Sequence, residues 1–403
     1  MTQRALQEAQ QTDSAPWAAR AAVLRLDLTR FRSYRDARIE TDGRPVVLTG
    51  PNGAGKTNLL EALSFLAPGR GLRRARLAEI DCRTDAGSWA VAARVVSTQG
   101  EAMIGTGRDP ASDSGDRRLL RIDGHAVKGQ AALARHLNLV WLTPQMDRLF
   151  QEGAAARRRF LDRLVFGFDP DHAHRLASYD QALRARVQLL REGTRDAEWL
   201  GQLEETMARE GVAVAASRRD IVQRLDAATV DDGVFPQPRI GLAGVAEAWL
   251  AEMPALAAED RLRAEFAAAR RIDGETGGTS VGPHRADLVV RHAGTGVGAP
   301  DCSTGEQKAL LIAIVLAHAR LQAELRGIAP VLLLDEVAAH LDRSRRRALH
   351  ERILALGTQA WLTGTDAESF EDLGRNAHFL EITEGRVSDL RELPIPSIRR
   401  VRE

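Results

Sequence analysis

The segment Gly50-Pro51-Asn52-Gly53-Ala54-Gly55-Lys56-Thr57 restricts what this chain can fold into more than any other stretch. It matches G-x-x-x-x-G-K-[ST] at every fixed position. An apolar strand, Val46–Thr49, precedes it. A helix is expected over 58–67, beginning at Asn58, with Leu59, Leu60, Leu63 and Leu66 at helical spacing. Glycines let backbone N–H groups converge on phosphate oxygens with no Cβ in the way. The helix that follows aims its positive end at the same point. Lys56 is then placed to reach the β- and γ-phosphates of ATP, and the Thr57 hydroxyl to hold Mg²⁺. The plain alternative, a Gly-rich strand–helix turn with no ligand, is disfavoured by the complete motif in its required context.

Val331-Leu332-Leu333-Leu334 is an apolar run that ends in Asp335 and Glu336. Four such residues suit a strand buried on both faces of a parallel sheet, and ligands bind at the C-terminal ends of such strands. Asp335 is placed to hold Mg²⁺, directly or through water, and Glu336 to orient or deprotonate an attacking water. A solvated acidic turn is the plain reading of the pair alone; the phosphate loop upstream tips the balance. A second anion site is written in Ser303-Thr304-Gly305-Glu306-Gln307, ahead of a helix over 304–320. Ser303 with Glu306 three residues on is also a capping box. A helix start with Ser and Gly can close over the γ-phosphate held by another copy of the chain.

At 403 residues the chain is too long for one ordinary core, so two or three structural units are expected. With 44% hydrophobic and 28% charged residues it is not a disordered chain. The longest apolar run, 309–317, is nine residues, against ~20 for a membrane span. Residues 1–20 read as a flexible N-terminal tail without a signal pattern. Two cysteines, Cys82 and Cys302, make no disulfide framework and suggest a reduced, cytoplasmic setting. From Val23 the pattern VLRLDLTRFRSY alternates apolar and polar residues and reads as a strand, and short strands are expected at 89–96, 119–122 and 139–142. From 153 onward the chain turns Ala-, Leu-, Arg- and Glu-rich, and Leu176, Tyr179, Leu183, Val187 and Leu190 share one helix face. A second helix follows through Trp199, Leu203 and Met207, and a third over 257–271. Beyond 286 strands and helices alternate, which implies a parallel sheet. The expectation is an α/β head from 21–152 plus 273–403, interrupted by a helical arm at 153–272.

The order of phosphate loop, S-T-G-E-Q helix, L-L-L-D-E strand and His340-Leu341-Asp342 resembles the ABC-type ATPase heads of the SMC and Rad50 class. It is more similar still to the RecF family of bacterial recombinational repair. The resemblance is carried by LRLDLTRFRSY, GPNGAGKTNLLEAL, RRRFLDRLVF, Gly282-Pro283-His284-Arg285-Ala286-Asp287-Leu288, STGEQKALL and LLLDEVAAHLD, and it spans about 23–366. It implies an ABC-type (SMC/Rad50-like) P-loop ATPase head with an inserted arm. Ser303 and Gly305, with Glu306 in the same motif, would meet the γ-phosphate bound by the opposite subunit. Asp342 would cross the dimer interface, Gln145 would lie near a loop that coordinates Mg²⁺ and water, and Arg32 would be close to the nucleotide. Thr365 stands where ABC transporters carry a histidine. A threonine cannot be a charged γ-phosphate sensor, which implies a slow, switch-like ATPase.

Nucleic-acid binding is less plainly written. The net charge is +1, and lysine occurs only at Lys56, Lys128 and Lys308 among 56 basic residues. Arg70, Arg73, Arg74 and Arg76 crowd an acid-free stretch at 69–76, a candidate DNA contact; Arg157-Arg158-Arg159 and Arg345-Arg346-Arg347 read as solvated helix faces. Aromatic residues are 4%, so phosphate-backbone contact is favoured over base stacking. The resemblance implies ATP-driven head-to-head homodimerisation that clamps double- and single-stranded DNA at gaps or junctions. RecO and RecR proteins would be partners and RecA loading the outcome, with no role for a membrane. Two other readings stay open: an ABC-type ATPase subunit that drives a protein partner without DNA, and a scaffold that binds ATP and barely hydrolyses it.

Overall fold

β1 (Ala22–Phe31) and β2 (Tyr34–Glu40) open the chain as an antiparallel hairpin. The alternation from Val23 to Tyr34 therefore belongs to two strands rather than one. The break falls at Arg32, whose φ of 55° is left-handed and whose backbone N–H donates to Ile80 O at 2.8 Å. β3 (Val46–Thr49), the glycine loop and α1 (Lys56–Ser64) follow. This computed structural model describes residues 21–390 apart from 83, 86, 98, 112–116 and 194–195, so the expected tail over 1–20 lies outside the described residues. β4 (Ala90–Ser97), β5 (Gly100–Arg108), β6 (Arg118–Ile122) and β7 (His125–Ala126) extend the hairpin into an antiparallel sheet ordered β2-β1-β4-β5-β6-β7. β5 announces itself poorly in sequence, since Gly100, Gly105 and Gly107 dilute its alternation. Phe31, Phe65 and Trp89 pack ring against ring, with centroids 5.0 Å apart for Phe65 and Trp89. Their burial sets the hairpin against the segment that follows α1.

The chain then builds a second compact unit from 128–330. It holds β8 (Leu139–Leu142), α2 (Ala154–Phe166), α3 (His172–Arg191), α4 (Ala197–Ala228), β9 (Pro238–Ala243), α5 (Val245–Glu252), α6 (Ala255–Thr276), β10 (Asp287–His292) and α7 (Thr304–Arg326). β9 pairs antiparallel with β10. The compact division thus falls at 127/128 and 330/331, outside the expected arm of 153–272. The stretch after the expected arm is tied to its helices by direct bonds: His318 Nε2 donates to Leu164 O at 2.9 Å, and Arg157 Nε to Asp287 Oδ1 at 2.7 Å.

The core face of α3 is His172, Tyr179, Ala182, Arg186 and Leu189. Leu183, Val187 and Leu190 are only half-buried. Apolar spacing could not place Arg186 there. Its fully buried guanidinium bonds Glu204 at 2.9 Å, Asp273 at 2.7 Å, Thr279 Oγ1 at 3.1 Å and Phe266 O at 2.7 Å, which is what makes burial of the charge tolerable. The Gly282–Asp287 phrase is a structural staple of the same unit. Arg218 donates to Pro283 O at 2.7 Å, His284 Nδ1 meets the Tyr179 hydroxyl at 2.7 Å, and Arg158 donates to Ala286 O at 2.7 Å. Arg157 and Arg158, expected as solvated, are therefore structural.

The chain returns to its first unit, 21–127 with 331–390 of the described residues, through β11 (Val331–Leu334), α8 (Arg343–Leu356), β12 (Ala360–Thr363), β13 (His378–Thr383) and β14 (Arg386–Asp389). Within this unit the strands run β14-β13-β3-β12-β11, parallel from β13 to β11. Every residue of β3, β11 and β12 is buried. Leu48 pairs with Thr363 and Leu334 with Leu362, so the C-terminal ends of β3, β12 and β11 lie side by side. Among the described residues no helix is long and apolar enough to cross a membrane.

His318 on α7 is fully buried with Nε2 donating to Leu164 O at 2.9 Å. Burial disfavours its charged form and pushes the pKa down to about 4, the Leu164 bond opposing only in part. The folded value lies below the ~6.5 of an unfolded histidine. Stability held by the neutral ring is present above pH 6.5 and is lost as pH falls toward 4, at up to ~1.4 kcal/mol per pH unit. Urea denaturation at pH 7 and pH 5 should reveal that loss, and His318→Gln should shrink the difference between the two.

Candidate functional site

The glycine loop is shaped by its neighbours. Gly50 has φ 137° and Gly55 φ 118°. A Cβ on Gly50 would lie 2.2 Å from Ile382 O, and one on Gly55 2.6 Å from the Tyr34 hydroxyl, so both positions exclude any side chain. The Tyr34 hydroxyl donates to Gly55 O at 3.1 Å, and the N–H of Gly385 donates to Ala54 O at 3.1 Å. The loop is thus braced by β2 and by the turn between β13 and β14. The N-terminus of α1 carries no side-chain cap and no acid in its first turn, which leaves its positive end available to an anion. Lys56 is buried and curls over the loop, donating to Gly50 O at 2.6 Å and Pro51 O at 2.9 Å. Burial pushes its pKa down, while Glu336 and Asp335 oppose that shift.

Thr57 meets Asp335 across the sheet. Thr57 Oγ1 donates to Asp335 Oδ1 at 3.0 Å, and Thr363 Oγ1 donates to the same oxygen at 2.8 Å. Burial raises the Asp335 pKa and the two hydroxyls partly counter it. Glu336 follows in a left-handed conformation, φ 51°, with its N–H donating to Thr363 Oγ1 at 2.8 Å. No motif or spacing in the sequence singles out Thr363. Its only signal is a hydroxyl at the end of an apolar strand, which acquires meaning once that strand is known to lie between β3 and β11. The donor set, one threonine hydroxyl and one buried carboxylate at a phosphate loop, fits Mg²⁺, which takes hard oxygen ligands and completes its shell with water and substrate phosphates. Among the described residues no group of three or more His, Cys, Asp or Glu could hold a metal by itself.

A second cluster flanks α1. Glu61 has a fully buried side chain that accepts from Arg32 Nε at 2.9 Å, Arg32 Nη2 at 2.8 Å and Arg73 Nη1 at 3.0 Å. Arg73 also donates to Asn58 Oδ1 at 2.7 Å, and Asn58 donates to Ser33 Oγ at 2.9 Å. Arg73 thus reaches in to the helix of the phosphate loop although it is exposed, as Arg70, Arg74 and Arg76 are. Glu61 was not legible as a partner, because an acid on the second turn of a helix reads as solvated.

The other expected residues stand as follows. Ser303 caps α7 in the capping box expected of it: Glu306 N–H donates to Ser303 Oγ at 3.3 Å, and the serine hydroxyl and N–H reach Glu306 Oε2 at 2.7 and 2.9 Å. Ser303 and Gly305 are exposed, and a Cβ on Gly305 would meet nothing within 4 Å. Gln145 is exposed in a 3₁₀ turn, 144–148, of the 128–330 unit. Asp342 caps α8, accepting from Arg345 N–H at 2.8 Å and the Ser344 hydroxyl at 2.6 Å, bonds that hold its carboxyl below the usual range.

The model of the RecF/RecN/SMC N-terminal domain family matches residues 22–386. The chain is 46% identical over 374 residues to the DNA replication and repair protein RecF of Allorhizobium ampelinum, covering 92% of this chain and 100% of that one. It is 47% identical over 373 residues to the RecF of Mesorhizobium japonicum, covering 92% and 98%. Among solved structures it resembles the recombination mediator protein RecF-ATPrS of the RecFOR pathway, with a TM-score of 0.78 at 21% identity over 92% of this chain and 99% of that one. RecF-ATP of the same pathway gives 0.77 at 22%, with the same coverage of both chains. These likenesses establish the mixed α/β ABC-type head fold.

Arg32 and Arg73 share Glu61 unequally, their side chains being 19% and 35% exposed. Arg32→Ala leaves a buried carboxylate with one partner and is expected to cost about 3 kcal/mol in a denaturant titration. Arg73→Ala should cost about 1 kcal/mol or less, since the more exposed pair is screened by solvent.

Proposed function

The chain belongs to the RecF/RecN/SMC N-terminal domain family, and on that premise we propose that it is an ATP-dependent DNA-binding protein of replication and recombinational repair. The observation that carries the reading is the meeting of Thr57 and Asp335, 3.0 Å apart, beside an uncapped helix start and a lysine folded over its loop. ATP lies in the cradle from Gly50 to Asn58, with Arg32 behind the loop. Thr57 and Asp335 hold Mg²⁺, which when bound neutralises charge on the β- and γ-phosphate oxygens. Lys56 exchanges its loop carbonyls for phosphate oxygens. Glu336 orients the attacking water and takes its proton. The absence of a charged group at Thr365 keeps turnover slow, so that hydrolysis resets a switch.

The exposed start of α7 supports the rest. In a head-to-head homodimer Ser303 and Gly305 of one copy close on the γ-phosphate held by the other, Glu306 first releasing the serine hydroxyl, and Asp342 meets the partner across the interface. The closed dimer clamps DNA at gaps or junctions through backbone phosphates, with Arg70, Arg74 and Arg76 as contacts. RecO and RecR proteins act with it in the cytoplasm, and RecA loading follows.

Lys56→Arg should lower phosphate release at least about 100-fold, because a planar guanidinium does not fit where an ammonium sits 2.6 and 2.9 Å from two carbonyls. Unchanged turnover would remove the lysine from the site. Ser303→Arg should leave ATP uptake by the monomer intact and abolish ATP-driven dimerisation in analytical ultracentrifugation. A variant that still dimerises would disprove the closure at α7.

A further inference from the structure

We propose that Thr363 is the positioning residue of this site: its hydroxyl holds Asp335 and Glu336 together in the arrangement in which the first faces a metal ion and the second a water. The inference rests on the nucleotide reading above.

Thr363 ends β12, which is hydrogen-bonded to β3 on one side and β11 on the other. It is the residue of that strand nearest in register to both functional loops, and it is 1% exposed. A hydroxyl has one proton to give and lone pairs to receive with. Thr363 gives its proton to Asp335 Oδ1 at 2.8 Å and receives the backbone N–H of Glu336 at 2.8 Å. One oxygen atom thus ties together the side chain of one acid and the backbone of the next.

Each bond has a distinct consequence. The two threonine hydroxyls both fall on Oδ1 of Asp335, and among the described residues neither falls on Oδ2. That fixes the rotation of the carboxylate and reserves one oxygen. The second bond bears on the backbone. Glu336 adopts φ 51°, a left-handed state that a residue with a side chain keeps only where its surroundings hold it. The strand has ended at Leu334, so no ladder bond fixes the Glu336 peptide, and the Thr363 hydroxyl receives its N–H instead. Valine has the shape of threonine without the hydroxyl. It would leave a buried N–H without its acceptor and Asp335 without one of its two donors. Serine restores both bonds.

The test compares full-length wild type, Thr363→Val and Thr363→Ser. ATP uptake is measured in EDTA. Mn²⁺ binding to the ATP complex is read from the loss of the free-ion electron paramagnetic resonance signal, and kcat and KM are measured separately. The valine variant should take up ATP in EDTA as wild type does, since the loop is untouched. It should bind Mn²⁺ about 10- to 100-fold more weakly and lose kcat by a similar factor, with KM moved less than about threefold, as expected when a residue that orients a metal ligand is removed. Serine should recover both to within about threefold of wild type. Should valine prevent folding, Thr363→Ala carries the same comparison. A valine variant that holds Mn²⁺ like wild type, or a serine variant as defective as valine, would reduce Thr363 to a packing residue. A wild-type chain that takes up neither ATP nor Mn²⁺ would instead end the nucleotide reading, and the positioning role with it.

Discussion

Asp335 is a carboxylate pulled out of water and kept there by two threonines that reach it from distant parts of the chain. Thr57 arrives from the start of α1 and Thr363 from the end of β12. A buried carboxylate without such donors would be costly. With them it becomes the point at which the strand carrying the acids, the strand feeding the glycine loop and the strand between them agree on register. The parallel sheet exists to bring these three strand ends together, and every residue of the three strands is buried. Close approach does the rest. Ile382 O and the Tyr34 hydroxyl stand where side chains on Gly50 and Gly55 would have to go.

The same logic, buried charge made tolerable by saturation, recurs away from the site. Glu61 is held by two arginines beside the phosphate-loop helix. Arg186 is held by Glu204, Asp273, Thr279 and a carbonyl inside the helical unit. In the first case the network stiffens the support of the candidate nucleotide site. In the second it replaces part of an apolar seam, so the unit is specified by hydrogen-bond geometry as well as by hydrophobic contact.

Much of this was legible in the chain itself. The phosphate loop between strand and helix, the acidic pair after four apolar residues, the capping box at Ser303 and the alternation of strands and helices after 286 all appear where local pattern placed them. The failures have physical reasons. The opening alternation ran through a break because a left-handed arginine is invisible to polarity counts. The buried face of α3 lies a step aside from its apolar stripe because its centre is a charged residue, Arg186. Arg73, Arg157 and Arg158 read as free charges, since an arginine's partner is chosen by the fold and not by its neighbours in sequence.

Local motifs are decided by spacing a few residues apart, and spacing is what a sequence states directly: where phosphate can be gripped, where acids end a strand, where a helix begins. Which side chains then complete those motifs was left to the tertiary structure, because Thr363 and Asp335 are 28 residues apart and Thr57 and Asp335 are 278. Only the pairing of strands brings such residues within reach of one hydrogen bond, and no periodicity in the chain encodes a distance of that kind.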